Sequence, residues 1–117
     1  MIGSDEWPDI QAELDELDES DRKSDNPAGY IIERLKAQLQ LFQKEIADDA
    51  EVGIVSAGTS GTFHLRHMSV SDPDMLIFDG IDQSGRKMQL FQHYGQLSVM
   101  FVEVQKIEER PYRIGFT

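Results

Sequence analysis

Residues 26–46 read NPAGYIIERLKAQLQLFQKEI, and this stretch decides the fold. Asn26 can cap the free amides of a helix start, and Pro27 at the next position loses no hydrogen bond. Apolar residues then recur at spacings of three, four, three and four: Ile32, Leu35, Leu39, Phe42 and Ile46. This period predicts a helix from about Pro27 to Asp48 whose apolar face lies on a sheet. A helix pair across a dimer axis is the second interpretation.

The chain that follows alternates apolar and polar residues with a period of two, which is typical of strands. Turn-forming residues interrupt this pattern at Gly58–Gly61, Ser71–Asp74 and Asp82–Gly85. Strands are predicted over residues 51–58, 62–70, 75–79, 87–93 and 97–104, with residues 110–116 as a candidate for a short sixth strand. Residues 26–117 therefore predict a single α+β domain, in which one long amphipathic helix packs on an antiparallel meander of five or six strands. The sequence leaves open whether the sheet curls into a small barrel.

Two apolar runs predict that the sheet is covered on both faces. Met75–Phe78 and Val99–Val102 contain no polar residue, as is typical of strands without a solvated side. Because one helix covers only one face, the other face needs an N-terminal segment, closure of a barrel or a second subunit. Among these we favour a homodimer.

The composition excludes several classes of protein. The 117 residues include 22 acidic and 11 basic side chains, a formal net charge of −11, and no cysteine. The absence of cysteine excludes disulfides, a thiolate zinc site and a cysteine nucleophile. The excess of acids is unfavourable for binding nucleic acid or an anionic membrane, and no apolar run approaches the roughly 18 residues of a membrane span. With no secretory signal at its start, the chain is expected to be a soluble cytoplasmic protein.

The acidic residues are concentrated in residues 1–25, which we call the arm. The arm holds ten acids and two bases, whereas residues 26–117 hold twelve acids and nine bases. Its apolar residues are spaced three, four and three apart, as on one face of a helix: Trp7, Ile10, Leu14 and Leu17. Because a helix of about ten residues is marginal alone in water, we predict that this face docks on its own domain, on a second subunit or on a partner protein. The alternative interpretation is a disordered, solubilising tail.

No motif in the chain predicts a catalytic or metal site. His64 and His67 are three residues apart on one predicted strand, so they face opposite sides of the sheet unless a bulge intervenes. The aspartates between Ser71 and Asp82 lack the spacing of a calcium-binding EF-hand loop. The chain also has no phosphate-binding loop, dinucleotide fingerprint or nucleophile elbow. We therefore predict no catalytic residue, no metal and no cofactor.

Several short motifs of the chain carry a resemblance to a known family. They are Asn26-Pro27 before Arg34-Leu35, Val52-Gly53, Thr62-Phe63-His64, Asp74 with Phe78 and Gly80, Leu90 with Gln92-His93 and Leu97, and Arg113-Ile114-Gly115-Phe116. With them, residues 26–117 resemble a family of small, uncharacterised bacterial proteins that is classed as a domain of unknown function. The resemblance implies no activity, but it directs attention to four polar residues among apolar strands: His64, Gln92, His93 and Arg113.

Three functions are consistent with these features. The leading hypothesis is a non-enzymatic protein-binding or assembly module, whose arm docks on its own dimer or on a basic partner protein through its apolar face. The alternative is a small-ligand or nucleotide pocket, or a weak hydrolase site, around the four polar residues named above, and it requires these side chains to converge. The third is an acidic mimic of nucleic acid that inhibits a DNA-binding protein. The concentration of acids in the arm makes this mimic the least favoured of the three.

Overall fold

The structure is a computed structural model, and it describes residues 25–56 and 61–115. One long helix is followed by five strands, as the sequence predicts. The elements are helix α1 (Pro27–Glu45) and strands β1 (Ala50–Ser56), β2 (Phe63–Ser71), β3 (Met75–Ile81), β4 (Lys87–His93) and β5 (Val99–Gln105), with a 3-10 turn at Tyr94–Gln96. The predicted α+β class is confirmed, with one helix on a five-stranded antiparallel sheet.

Helix α1 begins where the sequence predicts. The side chain of Asn26 accepts a hydrogen bond from the amide of Gly29 at 3.0 Å, and proline follows as the first helical residue. The helix ends at Glu45 rather than at Asp48, because Ile46 adopts an extended conformation with φ −82° and ψ 163°. Within residues 25–56 and 61–115, no helix is long and apolar enough to cross a membrane.

The strands pair in the order β4-β3-β2-β1-β5, and every pair is antiparallel. The first four strands form the predicted meander, whereas β5 returns to the far side of β1. A bulge between Leu65 and His67 shifts the register of β2 against β3, and bulges of this kind bend a strand. The sheet is curled into a half-barrel.

The apolar face of α1 packs on one face of the sheet, which we call the inner face. The buried residues of this core are Ala28, Ile32 and Leu39 on α1, with Val52, Ile54, Leu65, Met68, Leu76 and Phe78 on the strands. The ring of Phe42 lies 6.1 Å from that of Phe101, which extends the contact to β5. The helical period therefore marks the face that lies on the sheet, which is the first interpretation of the sequence.

The opposite face of the sheet, the outer face, is only partly covered. Buried and half-buried residues alternate along β3, and Met100 on β5 is 61% exposed. Along Met75–Phe78, full burial is therefore confined to the inner face, whereas no side chain of Val99–Val102 is fully buried. At Met100 and Phe91, the expected cover on the outer face is not supplied by the described part of the chain.

Residues 110–115 do not form the candidate sixth strand. The amide of Ile114 donates to Gln43 Oε1 at 2.8 Å, and the side-chain amides of Gln40 and Gln43 donate to the Ile114 carbonyl at 3.0 Å. Ile114 itself is 5% exposed and belongs to the core. Because glutamines of α1 satisfy its polar backbone groups, this part of the C-terminal segment is held without a strand neighbour.

Candidate functional site

Two of the four predicted site residues, His64 and Arg113, lie near the start of β1. His64 is 3% exposed, and its ring contacts Glu51, the second residue of β1. The guanidinium of Arg113 donates to three carbonyl oxygens that follow α1: those of Ala47 (3.3 Å), Asp48 (3.4 Å) and Ala50. Arg113 therefore fastens the C-terminal segment to the end of α1.

The other two residues, Gln92 and His93, lie at the end of β4. The side-chain amide of Gln92 donates to the hydroxyl of Ser56, and its carbonyl oxygen accepts from the amide of Ser98 at 3.3 Å. His93 Nδ1 accepts from the amide of Gly95 at 3.0 Å. Since β3 and β2 lie between β4 and β1 in the sheet, the bond from Gln92 to Ser56 requires a curled sheet and helps to hold it curled.

These contacts do not bring the four side chains together. Ala50 and Ser56 mark the two ends of β1, and six steps of an extended strand span about 20 Å. The contacts of His64 and Arg113 lie at its start, whereas Gln92 reaches its end. Among residues 25–56 and 61–115, no hydrogen bond, ion pair or ring contact joins any two of the four.

The predicted partner-binding residues cannot be placed in the same way. Trp7, Ile10, Leu14 and Leu17 all belong to the arm and lie outside the described residues.

A different group of polar side chains lies together around two buried residues, Glu51 and His64, and with Arg66 and the exposed Tyr112 we call it the Glu51 cluster. Glu51 Oε2 lies 2.6 Å from His64 Nδ1 and 2.8 Å from Arg66 Nη1, while Oε1 accepts from the amide of Tyr112 at 3.3 Å. Glu51 is 1% exposed. The guanidinium of Arg66 also lies over the ring of Tyr112, 4.5 Å from its centre. The cluster therefore joins β1, β2 and the C-terminal segment.

The partners of Glu51 stabilise its negative charge. Burial by itself raises the pKa of the carboxyl, but the hydrogen bonds from Arg66, His64 and the Tyr112 amide outweigh burial and lower the pKa of Glu51 below its ordinary value of 4.5. Because an ionised carboxylate has no proton to give, the Nδ1–H of His64 is the donor in their contact. Both carboxylate oxygens are thus hydrogen-bonded, as a buried charge requires.

The geometry of the Glu51 cluster suits a structural role. A carboxylate that orients a histidine is typical of general-base pairs, but such a base must reach its substrate, and His64 is 3% exposed. The open groove beside α1 and the smaller one beside Glu103 are lined by other residues. What the cluster does is position Tyr112, and with it the segment that carries Arg113 and Ile114.

The bulge in β2 does not create a metal site from the two histidines of that strand. The register shift between Leu65 and His67 is a bulge, and a bulge allows His64 and His67 to lie on the same face although they are three residues apart. His64 is nevertheless buried against Glu51, whereas His67 is exposed. Within residues 25–56 and 61–115, no three His, Asp or Glu side chains are grouped so that they could hold a metal ion.

The sequence interpretation missed Glu51 and Arg66 as site residues. A signal for them exists, because Glu51 is the second residue of the buried strand AEVGIVS and Arg66 follows His64 by two positions. An acid on one strand and a histidine with an arginine on the next form a complementary set. The missing information was the pairing of Gly53 with His64, which places the two strands side by side at the register that allows the contact.

The chain has no match among models of known protein families, among curated proteins or among solved structures. Its resemblance to a bacterial family of unknown function stays a prediction, and its function has to be inferred from its geometry.

The lowered pKa of Glu51 predicts that the protein loses stability in acid. The folded state binds a proton at Glu51 less tightly than the unfolded chain, so the contribution of Glu51 is present above about pH 4.5 and is lost as the pH falls below it. Urea unfolding between pH 6 and pH 3 measures this loss, at most about 1.4 kcal/mol per pH unit for one proton. The control is Glu51→Gln, which retains every other carboxyl and should show a shallower decline. Equal slopes for the two chains would contradict the prediction.

Proposed function

We propose that this chain is a non-enzymatic assembly module of the cytoplasm, which binds a second copy of itself through the edges of its sheet. One observation carries this proposal: large apolar side chains are exposed at both edges. Phe91 on β4 is 54% exposed, and Met100 on β5 is 61% exposed. Exposed apolar groups of this kind, when they lie on one continuous face, are typical of protein interfaces.

The strand register places Phe91 and Met100 on the same face. One row of paired residues crosses all five strands: Lys87, Ile81, His64, Gly53 and Val102. Directly paired residues share a face, and so do residues an even number of positions apart along a strand. Phe91 is four positions from Lys87, and Met100 is two positions from Val102. Both side chains therefore lie on the outer face, at its opposite edges.

The two edge strands are also open to a further strand. Among the described residues, β4 pairs only with β3, and β5 pairs only with β1. Natural edge strands are usually protected by charges, prolines or bulges. Here Lys87 stands at the start of β4, and Glu103 lies near the end of β5, where it accepts from the amide of Ala47 at 2.7 Å. The centres of both edges carry no charge, so a second copy can add backbone hydrogen bonds and apolar contacts there together.

The alternatives have weaker support. A ligand pocket around His64, Gln92, His93 and Arg113 needs side chains that the described contacts hold at opposite ends of β1. A mimic of nucleic acid needs carboxylates spread over the ordered surface, but the described residues carry thirteen acids and nine bases. In the assembly proposal, the arm is a second binding element beside the sheet edges.

Light scattering of the full chain tests the proposal, since a dimer has twice the 13.3 kDa mass of one chain. Phe91→Lys or Met100→Lys is expected to weaken association by about tenfold or more, because a lysine placed on an edge opposes pairing. Leu41→Lys is the matched control, because Leu41 is also 54% exposed but lies on α1.

The pattern of effects identifies the edges that pair. Disruption by only one of the two edge variants indicates pairing of like edges, and disruption by both indicates β4 against β5. A wild-type chain that stays monomeric up to its solubility limit, or an equal loss of association in Leu41→Lys, would overturn the proposal.

A further inference from the structure

An open groove runs between the first half of α1 and the second half of β2. Its volume is about 1300 Å³, which exceeds the roughly 300–1,000 Å³ that is usual for small-molecule pockets. The groove has apolar residues at its base, among them Ile32, Met68 and the half-buried Val70, and the exposed Ala37 forms part of its wall. An open groove with an apolar base fits an amphipathic helix better than it fits a small molecule.

The groove begins where the arm ends. Asp25, the last residue of the arm, lines the groove. Leu17 precedes Asp25 by eight residues, so the chain between them can span up to about 27 Å. The apolar face of the arm covers residues 7–17, which measure about 16 Å as a helix. A tethered segment at such short range has an effective concentration in the millimolar range for its own groove.

The rim of the groove carries basic side chains that suit an acidic occupant. Arg34 and His67 are exposed, and neither side chain makes a hydrogen bond or ion pair with another described residue. The polar face of the arm holds five acids between residues 13 and 19. The rim also contains three acids of its own: Asp25, Glu33 and Asp72. Attraction is therefore local to Arg34 and would orient the arm, while its apolar face supplies most of the binding.

We propose that the apolar face of the arm, Trp7, Ile10, Leu14 and Leu17, occupies this groove of its own chain as a short helix. The inference rests on the proposed function, in which the arm is a binding element, and it names the site that the arm binds. The apolar side chains lie on the base of the groove, and the acidic side chains face the rim at Arg34. The arm of a second copy and a segment of a partner protein are the competing occupants.

Trp7 is the only tryptophan of the chain, so its fluorescence in the full-length protein reports on the arm. A groove that buries about 70% of the indole should reduce quenching by acrylamide about threefold relative to the urea-unfolded chain. Quenching as strong in the native chain as in the unfolded chain would overturn the proposal.

A matched pair of double variants tests whether this groove is the site. Arg34→Glu with Ala37→Glu places two carboxylates in the groove lining, and Trp7 is expected to become as accessible as in the unfolded chain. Gln38→Glu with Lys44→Glu makes the same change of net charge at exposed positions of α1 that do not line the groove. Protection of Trp7 should persist in this control. Equal effects of the two double variants would assign Trp7 to another site.

Crosslinking shows whether the arm occupies the groove of its own chain or the groove of a second copy. The protein has no cysteine, so Leu14→Cys with Ala37→Cys provides two unique sites for a short bis-maleimide linker. Denaturing electrophoresis is expected to show a linked product at the mass of one chain. A product at twice that mass would overturn the proposal and indicate that the arm occupies the groove of a second copy. An absence of any link, with Trp7 accessible, would reject docking in the groove altogether.

The same measurements separate this inference from the proposed assembly. Protection of Trp7 that persists in the Phe91→Lys variant, at concentrations where that variant is monomeric, supports docking within one chain. A dimer in which Trp7 is fully accessible would overturn the docking of the arm and leave assembly through the sheet edges in place.

Discussion

Replacement of Glu51 by glutamine is expected to lower the free energy of unfolding by about 3 kcal/mol. The substitution keeps the shape of the side chain but removes the charge that balances Arg66 and accepts from His64. Removal of one partner from a buried ion pair typically costs 3–5 kcal/mol, and the lower end applies because the Arg66 side chain is 18% exposed. Urea unfolding at neutral pH measures the effect, which is a large part of the usual 5–15 kcal/mol for a whole domain.

Glu33→Gln is the matched control for this prediction. The Glu33 side chain is 73% exposed and lies 3.5 Å from Lys36 on α1, and an exposed pair of this kind contributes at most about 0.5 kcal/mol. The same Glu51→Gln variant should also be cut faster by trypsin after Lys106 and Arg113, because the amide of Tyr112 no longer donates to a carboxylate that holds this segment. If the two glutamine variants unfold at the same urea concentration, the Glu51 cluster has no role in stability.

Gly80→Ala is the second variant with a large expected effect. A Cβ at this position would lie 2.1 Å from the carbonyl oxygen of His64 and 2.6 Å from Phe63 Cδ2. The oxygen belongs to the backbone of the paired strand, next to the bulge of β2, so it cannot move aside without opening the β2–β3 pair. We expect a loss of about 3 kcal/mol, the upper end for overpacked interiors.

Thermal unfolding checks the Gly80 prediction. A loss of that size corresponds to a fall of about 10 °C or more in Tm for a domain of this length. Gly115→Ala is the control, because a Cβ there would have no atom within 4 Å, and its Tm should stay close to that of the wild type. A Gly80→Ala protein as stable as Gly115→Ala would mean that the strands do not approach so closely at this point.

Both variants act at His64, from different sides. Gly80 leaves room for the backbone of His64, and Glu51 holds its ring. His64, one of the four polar residues that the sequence singled out, is thus a junction of the fold. Its side chain links β1 to β2, and β2 in turn pairs with β3, which pairs with the edge strand β4 that carries Phe91.

Much of the fold could be predicted from the sequence because its signals are local. Asn26 and Pro27 specify the start of α1 through groups within one helical turn, and the apolar period of α1 selects the face that packs on the sheet. The hairpin loop between β3 and β4 could be predicted from the sequence for the same reason. Asp82 accepts from the amides of Ser84 and Arg86, both at 2.9 Å, and all the groups involved lie within five residues.

The candidate site was far less predictable, because its contacts join residues that are distant in sequence. Arg113 is separated from the carbonyls that it binds by more than sixty residues, and Gln92 is separated from Ser56 by thirty-six. No pattern along the chain specifies such pairs. The hypothesis of one pocket combined four polar residues that lie at two separate sites. His64 and Arg113 lie near the start of β1, whereas Gln92 and His93 lie at the end of β4.

The sequence alone determined the helix, the turns, the strand positions and the acidic arm, since capping, periodicity and charge depend on near neighbours along the chain. Only the tertiary structure decided that β5 returns to β1, that Glu51 is buried with His64 and Arg66 as partners, and that Phe91 and Met100 are exposed on one face. These features depend on strand order and register. Order and register are set by the packing of the whole domain, which no single segment encodes.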